Sequence, residues 1–471
     1  MDLSSVTSIN AGFNDGDGDD YNIQQITASY GGKIDLSGVE TITAPSGLWD
    51  HIDFILSEDA VIDLKSLNML TSARGYTLFD VTNGGTLYMP SLEDARQVVF
   101  DLDAGATVSV DDPDDGKDPP PATYSSTGLW ASAYHSHTRY WPLFKASGAG
   151  TKLDLSSVTS INAGFNDGDG DDYNIQQITA SYGGKIDLSG VETITAPVRM
   201  EDRLDFMVEG GLLVLGNLNT EGSSKVTVTG IASDLEMVHL EPGDVVIAGE
   251  LLVKGNLNPG GHTDITVTGI ESNPETATLD VEGDIILNNP NTLILSEATL
   301  KVGGDLQFSF TDEEEEFKAA DSIVHFDGSG CQLLEVGGLD VDVYVEYLPN
   351  DNFGFGQLIV GQEAEPTIVR LRDSVDNGNG FECHTEKEVL YLFGLGESDP
   401  NGLFIHPGST LMLDGVNLYA LRNGVWVHIN SLFPEGEDEI TYDGGGSIQK
   451  GCPNVKLAGD VDGSGQGGHP R

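Results

Sequence analysis

The chain has 471 residues, with 22 Lys and Arg against 76 Asp and Glu and a formal charge of −54. So large a charge of one sign repels itself in a compact state and calls for salt or bound cations. It excludes nucleic acid and anionic membrane surfaces as partners, since both need basic patches.

Hydrophobic residues make up 38%, no run of 18 apolar residues exists to form a transmembrane segment, and 60 glycines demand many turns. Asp2 to Pro45 opens the chain, and Asp154 to Pro197 repeats it without a change. The second copy is preceded by a strand-like Tyr140-Trp141-Pro142-Leu143-Phe144, which the first copy lacks. The chain therefore reads as beginning in the middle of a repeat, as a fragment or a mis-called start of a longer gene product.

Inside the copied segment lies Asn14-Asp15-Gly16-Asp17-Gly18-Asp19-Asp20. Asp15, Asp17 and Asp19 set carboxylates at alternate positions on a Gly-bearing loop. Calcium takes roughly six to eight oxygens at ~2.4 Å, and this spacing can wrap several around one ion. An EF-hand needs Gly at the sixth position and Glu at the twelfth; those positions hold Asp20 and Ile26. The run is either a calcium loop of another kind or a solvated acidic turn, and Asp167, Asp169 and Asp171 share that reading.

The phrase Gly31-Gly32-Lys33-Ile34-Asp35-Leu36-Ser37-Gly38-Val39 recurs in looser form. Each unit reads as a β-rich strand (Ile52 to Leu56, Val98 to Leu102), a small-residue turn, an apolar-x-apolar strand, another turn and an aliphatic plug. The last apolar residue of the motif falls at 3, 36, 64, 89, 110, 155 and 188. Strand-and-turn repeats of about 20–30 residues indicate a solenoid. One unit cannot bury its apolar face alone, but stacking units ~4.8 Å apart hides the inward residues and pairs the backbone. The expected fold is all-β, a parallel β-helix (β-solenoid) with a less regular C-terminal cap; a β-sandwich or propeller is the alternative.

On this reading residues 1–110 form the first coils. The charged, Pro-rich stretch at 111–140 is a linker or projecting loop. Residues 141–310 form further coils. They include a second repeat, in which Val226-Thr227-Val228-Thr229-Gly230 recurs as Ile265-Thr266-Val267-Thr268-Gly269, with two coils per repeat. Residues 311–450 are terminal coils and cap, with the acidic run Asp312 to Glu316 as a solvated loop. Residues 451–471 are a flexible tail.

Candidate chemistry is sparse. Cys331, Cys383 and Cys452 allow one disulfide or three thiols, and no zinc spacing is present. His135 and His137 face one side without a third ligand, which favours a surface pair. Arg370, Arg372, Asp373 and Asp376 suggest the basic residue of a polysaccharide lyase, although an ion-paired surface strand is the favoured reading. Among 76 acids some carboxylate pair always suits glycoside hydrolysis, so that signal carries nothing.

Asp460-Val461-Asp462-Gly463-Ser464-Gly465 fits the first six positions of a calcium loop, with Asp460, Asp462 and Ser464 as ligands. The twelfth is Arg471, so the bidentate carboxylate is missing. This stretch resembles the opening of a dockerin repeat, truncated. With the Gly-Gly-x-Ile-Asp-Leu phrase and Gly408-Ser409-Thr410-Leu411-Met412-Leu413-Asp414, the body resembles the large secreted β-solenoid repeat proteins of some aquatic bacteria. The resemblance implies an extracellular or surface-displayed protein and brings no catalytic residues.

The expected function is a structural or adhesive β-solenoid, stabilised by Ca2+ and acting as a spacer or adhesin. Its expected partners are carbohydrate or other cell-surface components, with self-association through exposed solenoid ends. The alternative is a polysaccharide-binding or polysaccharide-degrading β-helix attached through the dockerin-like tail.

Overall fold

Strand pairing follows the apolar columns of the sequence. The computed structural model describes residues 1–12, 22–47, 50–72, 75–110, 119–126, 139–164, 174–197, 202–216, 218–221, 224–237, 240–241, 243–259, 263–269, 276–288, 291–308, 317–338, 353–363, 365–373, 388–396 and 399–451. Among them the protein is all-β, with parallel sheets and no α-helix; a 3-10 turn spans Ile429–Leu432.

The chain visits three ladders in rotation. Ladder one holds Ser8–Asn10, Thr41–Thr43, Met69–Thr71, Asp94–Arg96, Ala122–Ser125, Val158–Asn162 and Thr193–Thr195. Ladder two holds Ile23–Ala28, His51–Leu56, Tyr76–Val81, Val98–Asp103, Arg139–Ser147, Asn174–Ser181 and Arg203–Glu209. Ladder three holds Lys33–Asp35, Val61–Asp63, Thr86–Tyr88, Thr107–Ser109, Lys152–Asp154, Lys185–Leu188 and Leu212–Leu215. Further on, one long strand can serve two ladders. Ser224–Met237 pairs with Arg203–Glu209 through its first half and with Leu212–Leu215 through its second.

Inward columns set the register. In ladder three Ile34, Ile62, Leu87, Val108, Leu153, Ile186 and Leu213 are successive partners. In ladder two the column runs Ile26, Phe54, Phe79, Phe100, Phe144, Ile178 and Phe206. A slip of one residue would turn Ile34 outward and Asp35 inward, so burial locks the pairing. The aliphatic plugs Val39, Leu67 and Leu92 are buried. In the later repeat Val226, Val245 and Ile265 form one column, so its 39-residue period spans two steps.

Each corner has its own local chemistry. Between ladders two and three, two successive residues take positive φ: Tyr30-Gly31, Asn83-Gly84, Ala104-Gly105 and Tyr182-Gly183. Glycine carries the second of these without steric cost. Between ladders three and one, the Asp of the Ile-Asp-Leu phrase closes an Asx turn. Oδ1 of Asp35, Asp63 and Asp187 accepts the N–H of Ser37, Lys65 and Ser189 at 3.1, 3.1 and 3.2 Å. The Ser37 bonds hold the Asp35 carboxyl below its ordinary range.

The structure adds a ladder that the sequence reading did not contain. Ladder-one strands such as Thr41–Thr43 are three residues long, too short to show alternation. Within the stretch read as a linker or projecting loop, Ala122–Ser125 is a ladder strand, while 111–118 and 127–138 lie outside the described residues. The acidic run at 312–316 also lies outside them. Near the C-terminus two pairs turn antiparallel: Asn417–Arg422 with Val425–His428, and Glu439–Thr441 with Ser447–Gln449. No helix among the described residues is long and apolar enough to cross a membrane.

Candidate functional site

The copied acidic runs leave the ladders at one place. Segments 13–21, 127–138 and 165–173 each join a ladder-one strand to a ladder-two strand. This edge, where insertions of many lengths depart from constant strands, is the candidate site. Asp15, Asp17, Asp19, Asp167, Asp169 and Asp171 belong to it by sequence but lie outside the described residues, as do Asp460, Asp462 and Ser464 of the tail. His135, His137, Asp376, Cys383 and Cys452 lie outside them too.

What the structure places at this edge is the footing of each loop. Asp50 is buried, and its Oδ1 accepts the N–H of Asn22, the residue that follows the first acidic run, at 3.0 Å. Asp202 repeats the arrangement for Asn174 after the second run. Its Oδ1 accepts both the backbone N–H and the side-chain amide, each at 3.2 Å. Asn291 accepts the N–H of Thr263 at 3.0 Å in the same way. A buried acceptor from the next round thus fixes the chain at Asn22, Asn174 and Thr263, each just after a loop, where an amide would otherwise go unpaired.

Beside these footings runs a row of polar and aromatic groups. Asp53 Oδ2 accepts Gln25 Nε2 at 3.2 Å, and His51 Nε2 lies 3.4 Å from Oδ1. His51 stacks on Tyr76 at 4.5 Å, and Tyr76 meets Trp141 edge-on at 5.5 Å. One copy later the pair is Arg203 and Asp205, joined at 2.7 and 3.3 Å. Burial pushes the Asp205 carboxyl up, against the pull of Arg203.

The sequence reading did not single out these residues, although a signal was present. Asp50-His51-Ile52-Asp53-Phe54 and Asp202-Arg203-Leu204-Asp205-Phe206 keep the spacing of the duplication beyond Pro197, with Asp, Asp and Phe in common.

Charge crowding extends along ladder two. Asp80 and Asp101 are direct partners, and Lys145 Nζ sits 2.8 Å from Asp101. Burial first, then Asp101 and Asp53, push the Asp80 carboxyl up. The raised value means that the ionised form costs stability, a cost absent at low pH and present above the carboxylate range. Asp80→Asn should therefore stabilise the protein at pH 7 by about 0.2–0.5 kcal/mol, the lower part of the cross-strand range because solvent screens a half-exposed pair. The gain should disappear below about pH 3.9, where the wild-type group is protonated. Urea denaturation at the two pH values checks this, and a destabilised variant at pH 7 would refute it.

Other candidates are engaged in structure. Arg370 Nε donates to Asp414 Oδ2 at 2.9 Å, which makes it one half of an ion pair between its strand and the turn after Thr410–Met412. Cys331 is exposed on Gly330–Glu335. Among the described residues no group of three or more His, Cys, Asp or Glu is gathered to hold a metal ion. Compared with known proteins, the chain finds no match among protein-family models, curated proteins or solved structures.

Proposed function

We propose that the protein is a non-catalytic, extracellular spacer or adhesive element, folded as a parallel β-helix and stiffened by calcium at its acidic loops. The carrying observation is the rotation of strands through three ladders from Ser8 to Leu215, with each inward column continuous there from round to round. Such a stack lengthens by adding whole rounds, since each contacts only its neighbours. The identical 44-residue segments suit that mode of growth. Their strands Ser8–Asn10 and Val158–Asn162 stand five steps apart in ladder one, about 24 Å at ~4.8 Å per step. Two identical acidic runs, each following one of those strands in the chain, suit repeated cation binding or a repeated contact with carbohydrate or another cell-surface component.

Thermal melting followed by far-UV circular dichroism, with calcium and with chelator, tests the reading. A β-type spectrum is expected, with a melting temperature that rises with calcium. The scale is about 2.7 kcal/mol at a hundredfold excess over Kd for one site. Replacing Asp15, Asp17 and Asp19 by Asn should remove part of that rise. A calcium-indifferent melt would refute the cation role, and a helical spectrum would refute the fold.

A further inference from the structure

We infer that the corner between ladders two and three binds an extended, neutral polysaccharide through Tyr30 and Tyr182, which names the ligand class of the carbohydrate contact proposed above and rests on that reading. Tyr30 is 84% exposed and Tyr182 is 74% exposed. Both have left-handed backbone, with φ of 53° and 51°. That conformation is an outlier for a bulky side chain, whereas Asn takes it more readily and holds the same corner at Asn83. Burial does not offset the strain, since both rings stand in solvent. Strained residues of this kind gather at binding surfaces.

The exposure belongs to the corner itself, as Tyr182 shows. Its N–H donates to Glu209 O of the next round at 3.0 Å, and Gly148 N–H of the preceding round donates to Ser181 O at 3.1 Å. With a round on either side, the ring still projects.

The two tyrosines share one edge. Backbone bonds link the successive corners between them: Gly31 N–H to Glu58 O at 2.7 Å, Asp59 N–H to Asn83 O at 3.0 Å, Gly84 N–H to Ala104 O at 3.2 Å and Ala104 N–H to Ser147 O at 3.1 Å. Five steps of ~4.8 Å put the rings about 24 Å apart. The corners between them carry small side chains, at Asn83-Gly84, Ala104-Gly105 and Gly148-Ala149-Gly150, and the exposed carboxylates of Glu58, Asp59 and Asp103.

Two raised rings with a low, acidic floor between them suit a chain of hydroxylated rings. A pyranose lays its C–H face on the negative face of an aromatic ring, and its hydroxyls donate to carboxylates. An acidic polysaccharide would be repelled by a chain of formal charge −54. A protein partner fits less well, because a tyrosine hot spot needs a surround that excludes water. These rings are flanked instead by Ser29 and Gly31, and by Ser181 and Gly183.

The full chain is run in calcium through native gels cast with dextran, xyloglucan, galactomannan or mixed-linkage β-glucan. At least one of these polymers should retard it. Tyr30→Ala or Tyr182→Ala alone should weaken the binding at least about tenfold, because each contact raises the effective concentration of the other. Tyr→Phe at both positions keeps the rings and should retain the retardation. Both sites are exposed, so every variant should keep a β-type far-UV spectrum. Retardation by none of the polymers overturns the inference, as does retardation unchanged when both tyrosines are alanine. A loss of only about twofold in each single variant also overturns it, since the rings would then act independently. A calcium-dependent melt without retardation removes the polysaccharide site and leaves the spacer standing. Retardation with a calcium-indifferent melt supports the site and removes only the cation role.

Discussion

Phe79→Ala is expected to cost about 3–5 kcal/mol, the range for emptying a buried aromatic site. Phe79 is fully buried in the ladder-two column, with ring centroids 5.0 Å from Phe54 and 5.2 Å from Phe100. Phe144 continues the column 6.0 Å beyond Phe100, and Tyr124 meets Phe144 edge-on at 4.6 Å. Truncation loses two ring contacts, each about 0.5–1.5 kcal/mol beyond area, and leaves a cavity with rigid strands on either side. In a stack where each round touches only its neighbours, the weakened interface uncouples the rounds before it from those after it. Urea denaturation should therefore broaden as well as shift, and amides before residue 80 should exchange hydrogen earlier than those after it. Phe79→Ile should be milder, about 1–1.5 kcal/mol, because the same column accepts Ile26 and Ile178. A loss under about 1 kcal/mol for the alanine variant would mean that the column is not packed as described.

The legible part of this fold was its columns. Leu3, Leu36, Leu64, Met89, Val110, Leu155 and Leu188 could be aligned by eye because each ends an apolar-x-apolar stretch, and all but the half-buried Leu3 are buried. The ladder-one strands were not legible. Thr41–Thr43 or Asp94–Arg96 places a single side chain inward, Ile42 or Ala95, and one residue sets no period. The hairpin at Asn423-Gly424 carried a known two-residue signal, with φ of 51° and 75°. It was overlooked because a stack of parallel strands leaves no expectation of an antiparallel return. At the loop edge the local signal lies in the aspartates with calcium-like spacing. The residues that structure the loop ends are single acceptors, Asp50 and Asp202, each 28 residues beyond its donor. A partner one round away has no local signature; only the alignment of the two copies reveals it.

That alignment also permits a matched pair of substitutions. Gly184→Ala should destabilise by about 1–3 kcal/mol, the cost of overpacking, while Gly32→Ala should cost less than about 1 kcal/mol. The two glycines occupy the same place in identical sequence, at the start of the strands Lys185–Leu188 and Lys33–Asp35. Neither requires positive φ, so the difference is steric. A Cβ on Gly184 would lie 2.3 Å from Ala146 O, 2.6 Å from Ala146 C and 2.9 Å from Ser147 N, all backbone of the preceding round. Relief would require two rounds to separate, at the expense of ladder hydrogen bonds. A Cβ on Gly32 meets only Ser29 O inside this limit, at 2.9 Å, in its own turn, which can open by a few tenths of an ångström. Local sequence, propensity and unfolded-state effects cancel between the sites, leaving the presence of a round beneath as the variable. Equal losses at the two positions would show that the second copy does not sit on Arg139–Ser147.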